Sequence, residues 1–274
     1  MSTHVFDQAI ALTPDGDHRF RGATSPAYAN MVGPFGGITA ATVLNAVMQH
    51  PSLLGEPLSL TINYCAAVAD GAFTVTALPM RTNRSTQHWT VAVTQPGADG
   101  SEDAVVTATV VTAVRRDTWG LDDETMPEVQ KPDQVQPVPM PEFSAWLKRY
   151  EMRPIEGAVP PVWDGGGTHS RTRLWLRDAE PRQLDLAGIT GYADAFFPRV
   201  WLRRARFVPA GTVSMTVYFH AGGAELARCP VGTWVLGQAR AQAFRNGFFD
   251  QTAQLWSENG RILVTTHQIV YYKE

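Results

Sequence analysis

Twice along this chain an apolar, helix-like run gives way to stretches in which apolar and polar residues alternate. In the first half, residues 5–12 and 18–25 read as short strands. Gly33-Pro-Phe-Gly-Gly37 then opens a run at 38–50, rich in Ala, Val, Leu and Met, that reads as a largely buried helix closed by Pro51. Alternation predicts strands at 58–66, 71–81, 87–95 and 103–114, separated by Asp70-Gly71, Thr82-Asn83 and the turn-rich residues 96–100. The second half repeats the order: strands at 150–155 and 172–177, a helix at 184–197, and strands at 212–220, 233–243, 248–256 and 261–272. The hairpin dipeptide Asn259-Gly260 precedes the last of these. Between the halves, residues 115–162 shift to Pro, Asp, Glu and Gln, with Pro127, Pro132, Pro137, Pro139 and Pro141 closely spaced. This reads as a linker with a short helix around 142–148.

The repetition reaches single residues, since Leu58-Ser-Leu-Thr-Ile-Asn-Tyr64 is echoed by Val213-Ser-Met-Thr-Val-Tyr-Phe219. Two sheets, each wrapping one apolar helix and pairing edge to edge, accommodate this order best. Either half alone would leave an open strand edge and an uncovered helix flank. The expectation is an α+β fold of two repeats, 1–114 and 149–274, joined by a linker at 115–148. Gly188 and Gly191 would let the second helix approach a neighbour closely.

The two halves differ in chemistry. Asp194 lies near the end of the second helix, where the macrodipole disfavours a carboxylate, and Phe196 and Phe197 would desolvate it. Such a position costs stability unless the charge is used. Aligning Ser59 with Ser214 puts Thr39 opposite Asp194, Pro57 opposite Thr212 and Val110 near Gln268, so the first repeat lacks the same set and one site per chain is expected.

Composition narrows the classes. At 274 residues and 44% hydrophobic content the chain can bury one large core or two packed halves. With 23 basic and 26 acidic residues, net charge −3, it carries no electrostatic footprint for nucleic acid. Cys65 and Cys229, without CxxC spacing, fit a reducing cytosol. No apolar run reaches the ~18 residues of a membrane span, and the first residues lack a signal-peptide pattern, so a cytoplasmic location is expected. GxSxG, HExxH, paired CxxC and GxxxxGK[ST] are all missing from the sequence, leaving no basis for a nucleophile elbow, a zinc site or a P-loop; no metal or cofactor is expected.

Several segments together resemble the acyl-CoA thioesterase II family: Gly33-Pro-Phe-Gly-Gly37, the strand from Leu58 to Tyr64 followed by Asp70-Gly71, Tyr150-Glu-Met-Arg-Pro-Ile155, Tyr192-Ala-Asp-Ala-Phe-Phe-Pro198, and Asn259-Gly-Arg-Ile-Leu-Val-Thr-Thr-His-Gln268. The resemblance implies a double hotdog fold, in which each repeat has a long central helix wrapped by an antiparallel sheet. It also implies an acyl-CoA substrate, a place in lipid metabolism and association into a homo-oligomer. In that family an Asp, a Thr and a Gln position and activate the water that hydrolyses the thioester. The matching residues are Asp194, Thr212 and Gln268. Ser214 and Met215 depart from the expected polarity, which puts substrate preference in question.

Read alone, each residue has a plainer account. Asp194 is also explained as a solvated helix-end acid, Thr212 is better explained as a β-branched residue starting a strand, and Gln268 as an outward position of an alternating strand. Only their combination points to hydrolysis. That chemistry requires a base for water, groups that orient the water, and donors for the carbonyl oxygen as it becomes negative. Gly36 and Gly37 stand at a helix start suited to such donors, although a tight loop-to-helix turn explains them equally well. His88, beside Trp89, is a candidate wall of an acyl or pantetheine path, with a half-buried cross-strand position the simpler reading. His220 and His267 read as structural. Arg81, Arg84, Arg115 and Arg116 are candidates for CoA phosphates against a default of solvated surface. A hotdog hydratase or dehydratase and a non-catalytic acyl-CoA-binding protein remain the alternatives.

Overall fold

The computed structural model describes residues 3–97, 100–138 and 144–274. The first half contains helix α1 (Val5–Ala9), strands β1 (Thr13–Pro14) and β2 (Arg19–Ala23), helix α2 (Gly36–Met48), and strands β3 (Glu56–Tyr64), β4 (Ala72–Thr82), β5 (Thr86–Pro96) and β6 (Glu102–Ala113). The second contains β7 (Tyr150–Glu156), β8 (Thr172–Asp178), α3 (Leu186–Tyr192), α4 (Arg199–Arg204), β9 (Ala210–Phe219), α5 (Gly223–Leu226), β10 (Val235–Arg240), β11 (Phe244–Arg245), β12 (Phe248–Ser257) and β13 (Ile262–Tyr272). All pair antiparallel in one continuous sheet of order β1-β2-β4-β5-β6-β3-β9-β13-β12-β10-β8-β7, with β11 beside β12. The sheet curls around α2 and α3, which pack on each other, and the architecture is the double hotdog.

The halves join where the echoed motif pairs with itself. Ser59 faces Tyr218, the counterpart of Asn63, Asn63 faces Ser214, the counterpart of Ser59, and Thr61 faces its own counterpart Thr216. This is the self-complementary register of a two-fold interface, here within one chain. The Thr61 and Thr216 hydroxyls meet at 3.0 Å at its centre, while Leu60, Ile62, Met215 and Val217 on the other face are buried in the core. Arg115 locks the same seam. Its guanidinium donates to the carbonyls of Pro57, Phe219, His220 and Ala221 and pairs with Glu56, so it is a structural clasp rather than a solvated phosphate ligand.

The helices differ in length for local reasons. α2 is Gly-Gly followed by Ile-Thr-Ala-Ala-Thr-Val-Leu-Asn-Ala-Val-Met, without a charged residue, and nine of its thirteen residues are buried. The second helix was expected over 184–197 as a long central element. It is corrected to the seven residues of α3, capped by Asp185, whose carboxylate accepts the Gly188 N–H at 2.7 Å. Gly188 and Gly191 weaken its helix propensity, and Pro198 disfavours helical geometry at Phe197. Residues 5–12, expected as a strand, instead form α1: the His4 imidazole accepts the Phe6 N–H, and Phe6 and Ala9, three apart, turn to the core. A short apolar run does not distinguish the two states.

The Pro-rich segment is a cover rather than a free spacer. Val135, with Met126 and Val129, packs on Trp175, Trp234, Leu236, Trp256 and Ile262 over the outer face of the second repeat. The carbonyls of Gln130 and Pro132 accept from Trp175 and Arg153. The helix expected around 142–148 falls partly on residues 142 and 143, outside the described residues; the described part contains a 3₁₀ segment, Ala145–Arg149. Among the described residues no helix is long and apolar enough to cross a membrane.

The central threonine pair gives a stability test. Thr61→Val and Thr216→Val, each leaving one hydroxyl without its partner, should each cost about 1 kcal/mol. The double variant should lose less than the sum, with a coupling of about 0.5–1 kcal/mol in denaturant unfolding. Strict additivity would show that the hydroxyls do not interact.

Candidate active site

A cavity of about 590 Å³ opens between the repeats, walled by residues 30–39 and 64–68 of the first, Trp146 and Leu147 before β7, and residues from α3 to β13 of the second. Its wall is mostly apolar and aromatic, and it falls within the size range of small-molecule sites. Asp194 projects into it just beyond the end of α3. The unfavourable end of its own helix is offset by the favourable end of the other: α2 begins at Gly36, and the Gly37 N–H donates to the Asp194 carboxylate. Only glycine fits this contact. A Cβ on Gly36 would lie 2.6 Å from Asp194 Oδ2, and one on Gly37 would lie 2.6 Å from the Gly191 carbonyl oxygen. Despite these donors, desolvation dominates and pushes the Asp194 carboxyl up to about 7, with hydrogen bonds from Gln268 and Gly37 pulling the other way.

A β-bulge turns Thr212 toward Gln268, the amide that holds this carboxylate. Along β9, Phe219, Val217 and Met215 face inward, so strict alternation would turn Val213 inward and Thr212 out. Instead Ser214 pairs with Ile269 and Thr212 with Val270, leaving Val213 as the extra residue and turning Thr212 to the cavity. Its Oγ1 donates to Gln268 Oε1 at 3.3 Å, and Gln268 Nε2 donates to Asp194 Oδ1 at 2.9 Å. Gln268 Nε2 also contacts Met215 Sδ at 3.3 Å, which orients the amide. The three residues thus form a chain, Thr212 to Gln268 to Asp194, drawn from two strands and a helix end.

The first repeat carries the same bulge, with Leu58 as the extra residue between Pro57, opposite Thr112, and Ser59, opposite Val111. Pro57 and Val110 therefore occupy the places of Thr212 and Gln268, as the alignment of the repeats expects. The match of Thr39 to Asp194 is corrected. α4 intervenes before β9 in the second repeat only, and counting from the helix starts at Gly36 and Leu186 places buried Leu44 opposite Asp194.

Other expected residues divide. Gly36 lines the cavity, whereas the Gly37 N–H is engaged by Asp194. His88 is corrected: β5 alternation buries Gln87 and Trp89 and turns His88 outward, away from the cavity wall. His267 is exposed and pairs with Asp250, and His220 bonds Thr265. Three wall residues escaped the sequence reading. Tyr64 Oη donates to the Gly36 carbonyl at 2.8 Å, beside Asp194, and burial with that carboxylate raises its pKa well above the ordinary value. Trp146 stacks on Phe35 at 4.1 Å between ring centres, and Gln251 lies beside Gln268 on the next strand. Tyr64 left one signal, since its counterpart in the echoed motif is Phe219, without a hydroxyl. Below the wall, fully buried Arg199 donates to the carbonyls of Phe197 and Ser170 and to the Thr172 hydroxyl, pinning the turn that follows Asp194.

Two family models cover most of the chain: the acyl-CoA thioesterase N-terminal domain matches residues 25–113 and the acyl-CoA thioesterase C-terminal domain residues 132–272. A hot dog fold protein of unknown function from Alicyclobacillus acidocaldarius shares 43% identity over 100% of this chain and 99% of its own, with a TM-score of 0.92. An assigned thioesterase II from Thermobifida fusca (17% identity, TM-score 0.80) and an acyl-CoA thioesterase II from Mycobacterium marinum (13%, TM-score 0.78) share the fold, each over 98% of both chains. No curated protein matches the sequence. With both domain models matched in order on one chain, this protein belongs to the acyl-CoA thioesterase family and is a thioester hydrolase.

Proposed function

We propose that this protein hydrolyses an acyl-CoA to the free acid and CoA with a water activated at Asp194. The observation that carries the reading is the hydrogen-bonded chain Thr212–Gln268–Asp194 around a desolvated carboxylate in an apolar cavity. With its pKa raised to about 7, Asp194 is a stronger base than a solvated aspartate and is ionised at slightly alkaline pH. Gln268 fixes its orientation, and Thr212 supplies a hydroxyl beside the water. The water oxygen bonds to the thioester carbon as its proton passes to Asp194. The tetrahedral oxyanion collapses, the C–S bond breaks and the CoA sulfur leaves, taking the proton from Asp194 and restoring the base. The Gly36 N–H, at the start of α2, is the donor assigned to the oxyanion, while Gly37 is reassigned to holding the base. The two repeats, 1–114 and 149–274, build most of this site, and 115–148 connects them and adds Trp146 and Leu147 to the wall. A hydratase reading requires a histidine beside the acid, and among the described residues none that lines the cavity is one.

Free-thiol release from a panel of acyl-CoAs tests the assignment. Asp194→Asn should lower kcat/KM by at least about 100-fold. Its melting temperature at pH 8 should not fall, because the substitution removes a desolvated charge. An Asn variant as fast as the wild type, or a wild type that releases no thiol, would refute the reading.

The pH dependence has a definite sign. Catalysis needs the ionised carboxylate, so kcat/KM should rise with pH through about 7 and then level off. Stability should move oppositely. Between the ordinary aspartate value of 3.8 and about 7 the folded state holds a proton that the unfolded chain has released, so the Asp194 contribution to stability falls as pH rises through that window. Asp194→Asn should abolish this share of the slope in pH-dependent thermal unfolding.

A further inference from the structure

Gln251 lies on β12 directly opposite Gln268 on β13, and both side chains face the cavity. Gln268 is fully committed: its oxygen accepts from Thr212, and its nitrogen donates to Asp194 and Met215. Gln251 is only 2% exposed, and its amide, engaged by no protein hydrogen bond among the described residues, is not one of the sealed unpaired groups of the core but borders the cavity. An amide turned to the cavity is satisfied by water until a ligand displaces that water, and is then left unpaired at a cost unless the ligand offers it a partner. The first repeat shows what a purely structural solution looks like. Val110 corresponds to Gln268, and the residue opposite Val110 is Trp89, whose indole is buried and bonded to Thr112. Where one repeat is filled by an indole, the other presents a free amide to the cavity.

The surroundings indicate which part of a thioester reaches it. α4 packs over β12, and Phe197, Trp201 and Phe249 of the cavity wall are 4%, 2% and 1% exposed. The rim at Met31, Val32 and Phe207, by contrast, is 44%, 74% and 48% exposed. The bulky CoA portion must lie toward the open end, leaving the enclosed end for the acyl group. Gln251 and Gln268 are opposite one another on antiparallel strands, where backbones are about 5 Å apart, a span of about three to four bonds of an extended acyl chain; a carbonyl beside the Gln268–Asp194 pair therefore brings the first carbons of the chain, not its far end, toward the Gln251 amide.

We propose that Gln251 is a specificity residue that hydrogen-bonds an oxygen on the third or fourth carbon of the acyl chain, so that the preferred substrates are hydroxyacyl or oxoacyl thioesters rather than plain alkanoyl ones. An amide both donates and accepts, which suits a hydroxyl or a keto oxygen. A site built to pair such a group discriminates against the analogue that lacks it, because the amide is then left unpaired in the complex. The proposal rests on the hydrolase reading for the placement of the carbonyl.

The experiment compares hexanoyl-CoA with 3-hydroxyhexanoyl-CoA and 4-oxohexanoyl-CoA. In wild type at least one oxygenated substrate should exceed hexanoyl-CoA in kcat/KM by about tenfold, and in Gln251→Met that ratio should fall toward one. Being a ratio on one protein, it is insensitive to a general loss of folded enzyme. Equilibrium binding of non-hydrolysable S-(2-oxoalkyl)-CoA analogues, with and without the same oxygen, should show the same preference in wild type and its loss in the variant. Binding does not require turnover, so failure of hydrolysis with a retained Gln251-dependent preference would sink the hydrolase reading alone. Equal handling of plain and oxygenated chains by wild type, or a preference unchanged in Gln251→Met, overturns the proposal.

Discussion

The site depends on one electrostatic contact: a carboxylate at the end of the second repeat's helix resting on the start of the first repeat's helix. Asp194 follows α3, where the carbonyl end of a helix repels negative charge, and it is held because the N–H end of α2 arrives at the same point. The contact is possible only if the start of α2 meets the end of α3, only if the α2 start has no side chain, and only if the sheet wraps both. Gly36, Gly37 and the α2–α3 packing are therefore one requirement seen in three places. The helix start lowers the cost of the charge without cancelling desolvation, which leaves a carboxyl that ionises near neutrality and not near 4.

A symmetric frame carries an asymmetric site. Both repeats contain the bulge, at Leu58 and at Val213, so the backbone device that turns a residue toward the interior is shared. What differs is the side chain delivered: Pro57 against Thr212, Val110 against Gln268, Leu44 against Asp194, Trp89 against Gln251. In the first repeat these positions are apolar and packed, contributing to the core. In the second they are polar and open on the cavity, so the same geometry gives stability in one copy and chemistry in the other.

Much of this was readable in the chain. The alternation of the long strands, the buried α2 and the echoed seven-residue motif announced two like repeats, because period-two burial and a wholly apolar helix leave direct marks on sequence. Asp194 stood out by being a carboxylate among aromatics at a helix end. What escaped was set by tertiary context. Gly37 as a partner of Asp194 depends on helices far apart in sequence, and Gln251 acquires meaning only from its register with Gln268. His88 misled because an outward strand position beside a buried Trp looks, in sequence, like a cavity wall. α1 and the short α3 were misread because a short apolar run lacks a distinctive period, and because two glycines and a following proline limit a helix that hydrophobicity alone would extend.

The seam between the repeats also limits how the cavity can admit a ligand. β3 and β9 are joined by backbone hydrogen bonds, by the Thr61–Thr216 contact and by Arg115, whose guanidinium holds carbonyls on both sides. A sheet continuous across that line does not act as a hinge, so the two halves cannot swing apart as clamshell domains do. Entry and exit of a ligand must instead be accommodated by the non-strand walls, residues 30–34, 65–68 and 205–209. The base, its amide and its hydroxyl stay on the rigid frame while traffic passes at the rim.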